Sequence, residues 1–246
     1  MSSTDQTICA IMPAAGLGKR FGAEKNKPFF VLAGKPIIIW SLELLQSVDE
    51  IDEIIPVVRE DDILAAADLI GEYGIRKVKR IMAGGKERQD SVYNGLQAVT
   101  GKRSIIVIHD GGRPLAETRI FREAIHEAKG SDGVVAGVPV KDTIKEIIPS
   151  TDSDNFAVTT VYRTLRREVL YAVQTPQVFP VNVIKEAHAK ARRERFYGTD
   201  DASLVERYGG TIKIVKGSYS NLKITTPEDI VIAEALLRIR KQGSGL

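Results

Sequence analysis

Short apolar runs alternate with amphipathic segments along most of the chain. The runs are rich in Ile and Val and lack polar alternation, which is typical of strands buried on both faces of a sheet. These predicted strands are 7–12, 51–58, 78–82, 104–109, 133–140 and 211–215. Segments of helical length and periodicity lie between them or follow them: 36–46, 62–73, 87–99, 117–129, 181–194 and 227–240.

This alternation of strand and helix predicts an α/β fold, a Rossmann-like mainly parallel sheet with helices on both faces. We expect one domain over residues 1–246, with ligands beyond the carboxyl ends of the strands. Residues 141–174 break the rhythm, because β-type residues flank a Ser/Asp/Asn-rich middle. That segment predicts a β-hairpin arm that protrudes from the sheet.

Composition limits the partners and the cellular compartment that can be expected for this protein. The net charge of +3 is small and dispersed, which argues against a nucleic-acid partner. Cys9 is the single cysteine, so an intrachain disulfide is excluded and a reducing compartment is expected. The first residues lack the pattern of a secretory signal, and no apolar stretch approaches the ~20 residues of a membrane span. We predict a cytoplasmic protein without a membrane partner.

A glycine-containing turn with adjacent cations follows the first predicted strand, where residues 13–22 read PAAGLGKRFG. Its glycine spacing does not match the dinucleotide-binding fingerprint, and it lacks the Gly-Lys-Ser/Thr ending of a P-loop. Glycines let backbone N–H groups approach phosphate oxygens, and Arg20 and Lys27 add positive charge. A plain strand-to-helix turn with solvated cations is the alternative. The extra cations favour a triphosphate-binding loop of the nucleotide-sugar enzyme type.

Other polar stretches also follow predicted strands. Asp110, in IHDGGRP, stands where a carboxylate can hold Mg²⁺ beside substrate phosphates, although a turn-capping role is the common alternative. Arg113 can meet a phosphate or anchor Asp110, and Lys223 is a candidate cation at a strand edge. Residues 83–92, AGGKERQDSV, open a helix, so their amides and Ser91 can read a base or ribose. A Gly-Gly turn with helix capping explains that stretch almost as well.

The remaining candidates have structural interpretations. Thr199, Asp200 and Asp201 stand at a predicted helix start, where capping accounts for them. We expect His126 and His188 on helix surfaces, since the histidines do not have the spacing of metal ligands.

Eight motifs share the order and spacing of one enzyme family. They are PAAGLGKRFG, Lys27, GGKERQDSV, HDGGRP, VPVKDTIK, QTPQVF, TDDAS and NLKITTPED. Over almost its full length the chain resembles the 2-C-methyl-D-erythritol 4-phosphate cytidylyltransferases, CTP-dependent enzymes of the non-mevalonate isoprenoid pathway. The resemblance implies a homodimer whose hairpin arm reaches the partner subunit. It also implies CTP and methylerythritol phosphate as substrates, with Mg²⁺ or another divalent cation as cofactor.

The resemblance further implies residue roles. Arg20, Lys27 and Lys223 are the implied catalytic cations, and Asp110 is the implied metal ligand. The implied CTP contacts are Pro13, Ala14, Ala15, Gly16, Gly18, Lys19, Gly85, Lys86, Ser91 and Gly111. The implied contacts with methylerythritol phosphate are Arg113, Thr143, Arg167, Thr175 and Thr199. The implied reaction is in-line attack by the phosphate of methylerythritol phosphate on the α-phosphorus of CTP, which releases pyrophosphate.

The chain departs from the usual family pattern in four places. It has NKPFF around Lys27 in place of PKQ, and HDGGRP in place of HDAARP. Lys86 stands where an acidic residue is common, and Ser220 stands where a carboxylate often precedes the Asn-Leu-Lys motif.

Three alternative functions remain open: a ribitol-5-phosphate cytidylyltransferase, which tends to open with AGG; a catalytically silent nucleotide-binding module; and, more distantly, a nicotinamide-dependent oxidoreductase.

Overall fold

The computed structural model describes residues 7–16, 29–148 and 159–243. The strands are β1 Ile8–Pro13, β2 Val31–Leu32, β3 Lys35–Pro36, β4 Glu53–Val58, β5 Met82–Ala83, β6 Ile105–Ile108, β7 Gly133–Pro139, β8 Lys145–Ile147, β9 Val161–Thr164, β10 Tyr171–Pro180 and β11 Ile212–Lys216. The helices are α1 Ile37–Gln46, α2 Ile63–Glu72, α3 Arg88–Ala98, α4 Thr118–Glu127, α5 Val181–Glu194, α6 Asp201–Arg207 and α7 Pro227–Gly243. Within these ranges, none of the helices is long and apolar enough to cross a membrane.

The central sheet has seven strands in the order β11-β7-β10-β6-β1-β4-β5. Strand β1 pairs in parallel with β4 and β6, β4 pairs in parallel with β5, and β7 pairs in parallel with β11. Strand β10 runs antiparallel to both of its neighbours, β6 and β7. The predicted α/β fold with a mainly parallel sheet is therefore confirmed.

Helices cover both faces of this sheet, as the unbroken apolar runs predict. Along β1, Ile8, Ala10 and Met12 pack with α1, α2 and α4, whereas Cys9 and Ile11 pack with α3, α5 and α6. Successive side chains of a strand point to opposite faces, so a strand covered on both sides needs apolar residues throughout. Burial raises the pKa of the Cys9 thiol to about 12, so this side chain is a neutral part of the core.

Strand β10 is absent from the strands predicted by the sequence pattern. It reads YAVQTPQVFP, in which Gln174, Pro176 and Gln177 interrupt the apolar residues. Its pairing with β7 shifts register between Gln174 and Gln177, and both glutamine side chains are buried. Residues 171–174, which the sequence predicts as the end of the arm, belong instead to the central sheet, because they pair with β7.

The predicted β-hairpin is present as a separate antiparallel pair, β8 and β9, in which Lys145 lies opposite Thr164 and Glu146 opposite Arg163. Nε of Arg163 donates a hydrogen bond to the Glu146 carboxylate at 2.6 Å across the pair. The turn predicted near residues 149–155 lies outside the described residues. The hairpin leaves the sheet after β7, and the chain returns through β10.

Helix α3 lies so close to the sheet that only glycine fits at the point of contact. A Cβ atom on Gly95 would lie 2.6 Å from Cγ2 of Ile11 and 3.2 Å from Cγ2 of Val57. Both of these side chains are fully buried. The contact sets the height of α3 above the sheet, and with it the position of the helix N-terminus at the carboxyl ends of β1 and β4.

We expect Gly95→Ala to lower the free energy of unfolding by about 1–3 kcal/mol, because the added methyl overlaps the buried side chains of Ile11 and Val57. The better helix propensity of alanine, worth about 1 kcal/mol, offsets only part of this loss. Urea denaturation measures the change. Gly71 in α2 is the matched control, since a Cβ atom added there would have nothing within 4 Å. Gly71→Ala should stabilise the protein, and equal stabilisation by both changes would contradict the close contact at Gly95.

Candidate active site

A cleft opens at the carboxyl ends of the central parallel strands, where an open α/β sheet binds its ligands. The loop after β1, the turn that leads into α3, the loop after β6 and a lysine from the segment before α7 line it. The lining residues are Pro13, Ala14, Ala15, Gly16, Ile37, Gly85, Lys86, Glu87, Arg88, Ser91, Asp110, Gly111, Gly112 and Lys223. The start of the predicted triphosphate loop, the AGGKERQDSV stretch, Asp110 and Lys223 therefore meet in one cleft.

Backbone hydrogen bonds hold the loop after β1 against its neighbours. The N–H of Ala14 donates to the carbonyl of Val57 at 2.7 Å, and the N–H of Gly111 donates to the carbonyl of Pro13 at 3.1 Å. A Cβ atom on Gly111 would lie 3.0 Å from Cβ of Ala14. An alanine at position 111 would therefore crowd the loop after β1.

The Gly-Gly turn before α3 is also set by close contacts. A Cβ atom on Gly84 would lie 2.4 Å from Cβ of Ala15, so this turn packs directly on the loop after β1. Oγ of Ser91 accepts a hydrogen bond from the N–H of Gly85 at 3.1 Å and donates to the carbonyl of Glu87 at 3.2 Å. Ser91 is buried and holds the turn. Its predicted contact with CTP stays a prediction.

Asp110 is the electrostatic centre of the cleft. Its Oδ1 accepts from Nε of Arg88 at 2.8 Å, and its Oδ2 lies 2.7 Å from Nζ of Lys223. Burial raises the pKa of the Asp110 carboxyl, but the charges of Arg88 and Lys223 outweigh burial and hold that pKa well below its usual range. Asp110 is therefore a carboxylate in the folded protein at neutral pH.

Arg88 is a residue of this site to which the sequence motifs assign no role, although it lies inside the GGKERQDSV motif. Its Nη1 donates to Oδ2 of Asp201 at 2.7 Å while its Nε holds Asp110. Burial lowers the pKa of this guanidinium, but the two carboxylates outweigh burial and raise it. The signal that could have revealed the role is the pair of carboxylates in HDGGRP and TDDAS, far apart in sequence.

The expected surface position of His188 is wrong. Its side chain is 1% exposed, and its Nε2 lies 3.0 Å from Oδ1 of Asp201. Helix α6 packs on α5 and brings Asp201 over this face, which a helical wheel of α5 alone does not show. Asp200 caps α6 as predicted, because its carboxylate accepts from the N–H of Ser203 at 2.9 Å. Asp201, in contrast, is a buried partner of Arg88 and His188.

A second layer of hydrogen bonds supports Asp110 from below. Oγ1 of Thr175 accepts from the N–H of Asp110 at 3.1 Å and lies 3.0 Å from Nδ1 of His109. Nε2 of His109 lies 3.1 Å from the carbonyl of Arg113, and its ring meets Phe121 edge to face. Burial lowers the pKa of His109 to about 4, so its imidazole is neutral at pH 7. Thr175 is therefore buried beneath the cleft.

The segment that carries Lys223 is tied to the same layer. Nη1 of Arg113 donates to the carbonyl of Asn221 at 2.7 Å, and Nδ2 of Asn221 donates to the carbonyl of Thr175 at 2.8 Å. Oγ of Ser220 accepts a hydrogen bond from Nη2 of Arg240 at 3.0 Å. Ser220 thus places a neutral oxygen beside an arginine of α7.

The remaining predicted site residues lie elsewhere. Thr143 and Arg167 are exposed on the arm side, and Nη1 of Arg167 donates to the carbonyl of Lys141 at 2.9 Å. Thr199 is exposed just before α6. None of these three is among the described residues that line the cleft. Four predicted phosphate-contacting or catalytic residues lie outside the described residues: Gly18, Lys19, Arg20 and Lys27.

Asp110 fits the requirements of a nucleotide-associated divalent cation. Within the described residues, no three His, Cys, Asp or Glu side chains come together as metal ligands. Mg²⁺ at nucleotide sites needs only one or two carboxylates, because substrate phosphates and waters supply its other ligands. Asp110 lines the cleft, and Lys223, which pairs with its Oδ2 atom, has a side chain that is 40% exposed.

A mostly parallel α/β sheet, with a glycine-containing loop after its first strand and a cation-bound carboxylate at the same cleft, is the arrangement expected of a nucleotidyltransferase. A family model described as IspD, 2-C-methyl-D-erythritol 4-phosphate cytidylyltransferase, matches residues 8–239. The chain therefore belongs to the family of 2-C-methyl-D-erythritol 4-phosphate cytidylyltransferases, as the sequence motifs predict.

Relatives and solved structures agree with this assignment. A protein named 2-C-methyl-D-erythritol 4-phosphate cytidylyltransferase from Alkaliphilus oremlandii is 44% identical over 95% of this chain and 96% of its own length. A protein of the same name from Bacillus cytotoxicus is 43% identical over 94% and 98%. The crystal structure of 4-diphosphocytidyl-2C-methyl-D-erythritol synthase from Anaerococcus prevotii superposes with a TM-score of 0.82 at 34% identity, over 95% of this chain and 97% of that one.

The buried His109 should make stability depend on pH. Its folded pKa of about 4 lies below the value of about 6.5 in an unfolded chain, so only the unfolded chain binds this proton between those values. The stabilisation is complete above pH ~6.5 and is lost as the pH falls towards 4. From pH 7 to pH 5, we expect the metal-free wild-type protein to lose about 1–2 kcal/mol more unfolding free energy than His109→Asn. Urea denaturation at both pH values measures the difference, and parallel losses would contradict it.

Proposed function

We propose that this protein transfers the cytidylyl group of CTP to 2-C-methyl-D-erythritol 4-phosphate. The products are 4-diphosphocytidyl-2-C-methyl-D-erythritol and pyrophosphate, and the reaction belongs to the non-mevalonate isoprenoid pathway. Family membership supports this activity. The observation that carries it is the Asp110–Lys223 pair, 2.7 Å apart in the cleft beneath the loop after β1.

The reaction needs positioning and charge stabilisation more than acid–base chemistry. The attacking phosphate oxygen is already an anion, so no general base has to deprotonate it. The barrier lies in the mutual repulsion of an anionic phosphate and an anionic triphosphate, which fixed cations near the α-phosphorus reduce. Lys223 is such a cation among the described residues, and we propose that Arg20 and Lys27 supply the others.

We propose that the CTP triphosphate lies along the loop after β1, beside the turn that leads into α3. Backbone N–H groups of a glycine-containing loop and the N-terminus of a helix both favour phosphate oxygens. In this arrangement Gly85 and Lys86 face the nucleoside part of CTP. Lys86 lines the cleft and is exposed, which leaves its ammonium able to meet a hydroxyl or carbonyl oxygen.

Asp110 would hold the divalent cation, because it lines the cleft and Lys223, which pairs with its Oδ2 atom, is partly exposed. The cation, when bound, supplies charge neutralisation for the phosphate oxygens. Lys223 would then leave the carboxylate and place its positive charge beside the phosphate oxygens. Arg88 keeps the other oxygen of Asp110 in place through this exchange.

We further propose that two copies of the chain associate through the arm. Apolar side chains around the arm are exposed on the single chain: Ile147, Ile148, Val161, Tyr162, Val169 and Tyr171. Such a group of exposed apolar side chains is typical of a surface that a partner covers. Thr143 and Arg167 lie on this same part of the chain, so an arm that reaches the second copy would bring them to its cleft.

A cytoplasmic location stays a prediction from the single cysteine.

We expect Lys223→Ala to lower kcat by about 10²–10³-fold, because it removes a cation that acts on the developing charge. Stability should fall by no more than about 1 kcal/mol, since the lysine is partly exposed and Asp110 keeps Arg88. Steady-state kinetics and urea denaturation measure the two effects. Lys213→Ala is the matched control, since Lys213 is exposed and pairs with Glu127 at 3.2 Å on a different part of the surface. Near-wild-type turnover of Lys223→Ala would contradict the assignment.

Pyrophosphate release with CTP and Mg²⁺ tests the activity itself, with methylerythritol phosphate and ribitol 5-phosphate compared side by side. We expect rapid release only with methylerythritol phosphate. Release only with ribitol 5-phosphate would keep the mechanism and change the acceptor. CTP binding without turnover with either acceptor would identify a silent nucleotide-binding module and overturn the proposal.

A further inference from the structure

Arg88 lies between two buried carboxylates that come from distant parts of the chain. Its Nε is 2.8 Å from Oδ1 of Asp110, and its Nη1 is 2.7 Å from Oδ2 of Asp201. The side chains of these two aspartates are 8% and 1% exposed, whereas that of Arg88 is 29% exposed and lines the cleft. One planar guanidinium therefore fixes the orientation of the proposed metal-binding carboxylate relative to a second, buried one.

The position of Arg88 runs against a local rule of helix electrostatics. It is the first residue of α3, where the helix dipole favours acidic side chains and disfavours a positive charge. The helix itself therefore gains nothing from an arginine at this place. Positions that break a local rule and are compensated by contacts elsewhere are characteristic of functional sites. The compensation here comes from Asp110 and Asp201.

Asp201 is held on its other side. Its Oδ1 lies 3.0 Å from Nε2 of His188, and the His188 side chain is 1% exposed. Both residues belong to helices on one face of the sheet, and Asp201 does not line the cleft. An unbroken line of polar contacts thus runs from the buried face of α5 through α6 and Arg88 to Asp110.

From these contacts we infer that Arg88 is a positioning residue for cytidylyl transfer. It fixes Oδ1 of Asp110. Oδ2 is then the oxygen that would release Lys223 and hold the divalent cation when CTP binds. Asp201 and His188 act on the reaction only through Arg88. This inference rests on the proposed function, because it assigns Arg88 to a carboxylate that serves in that reaction.

The effect of Arg88→Lys on kcat and on thermal stability differs according to whether Arg88 positions Asp110 or only stabilises the fold. Arg88→Lys keeps the positive charge but cannot donate to both carboxylates with a fixed planar fork. If Arg88 positions Asp110, Arg88→Lys lowers kcat by ~10–100-fold with the KM for CTP nearly unchanged, as for partners that orient a metal ligand. If the pair only stabilises the fold, the loss of thermal stability appears without a loss of kcat in the protein that remains folded.

The experiment measures kcat, the KM for CTP and the thermal midpoint for Arg88→Lys, Arg88→Gln, Asp201→Asn and the double variant Arg88→Gln/Asp201→Asn. The double variant removes both charges of the buried pair, so it keeps the test available if a single change fails to fold. Asp201→Asn should lower kcat in the wild-type background and have no further effect in the Arg88→Gln background. Arg119→Gln, which removes an exposed arginine paired with Glu123, is the control and should retain wild-type kinetics.

Binding of Mn²⁺ in the presence of CTP, followed by electron paramagnetic resonance, gives a readout that is independent of turnover. We expect Arg88→Lys to weaken Mn²⁺ binding by ~10-fold or more. Unchanged Mn²⁺ binding together with wild-type kcat in Arg88→Lys would overturn the inference. A further loss of kcat from Asp201→Asn in the Arg88→Gln background would overturn the part that concerns Asp201.

Asp110→Asn, measured in parallel, separates this inference from the proposed function. Slow turnover in Asp110→Asn with wild-type turnover in Arg88→Lys overturns the role of Arg88 alone. Wild-type turnover in Asp110→Asn overturns the proposed role of Asp110 and, with it, the positioning role. Slow turnover and weak Mn²⁺ binding in both variants support the inference.

Discussion

The carboxylate of Asp110, held between Arg88 and Lys223 at the end of β6, is the interaction on which the rest of the site depends. A buried carboxylate is unfavourable unless cations or hydrogen-bond donors compensate for the lost water. Three cations provide this compensation: Arg88 is bridged to a second carboxylate, Lys223 is partly exposed, and Nε of Arg113 lies 4.0 Å from Oδ2 of Asp110. One oxygen of Asp110 is thereby fixed, and the other remains open to exchange. That asymmetry makes the group suitable for holding a cation that arrives with its substrate.

The antiparallel strand β10 assembles the parts around this carboxylate. Thr175 on β10 accepts from the N–H of Asp110, and Gln177 accepts from the N–H of Ala202 at 3.1 Å, next to Asp201. Nε2 of Gln174 donates to the carbonyl of Ser218 at 2.9 Å, in the segment that leads to Lys223. The polar residues that interrupt the apolar pattern of this strand are therefore the ones that dock α6 and the Lys223 segment onto the sheet. Strand β10 has a structural role in the sheet and a second role in the site.

The parallel part of the fold could be predicted from the sequence because burial on both faces requires unbroken apolar runs. Strand β10 could not, since its buried Gln174 and Gln177 resemble loop residues until their partners are known. The positions of Asp110 and Lys223 in the cleft were predictable from their motifs, as was the Asp200 cap, whereas the roles of the two residues in the reaction stay predictions. Arg88 and His188 were not, because their partner Asp201 lies 113 and 13 residues away in sequence and meets them only when α6 packs on α5. The roles of Arg20 and Lys27 stay predictions, since both lie outside the described residues.

The most direct test of the central role of Asp110 is its ionisation in the metal-free protein, followed by ¹³C NMR of its carboxyl carbon during an acid titration. We predict that this carbon keeps the chemical shift of a carboxylate down to the lowest pH at which the protein stays folded, because Arg88 and Lys223 hold its pKa well below the usual range. A titration midpoint near the value of about 4 for an ordinary aspartate would contradict this prediction. Such a result would mean that the two cations do not hold Asp110 in solution.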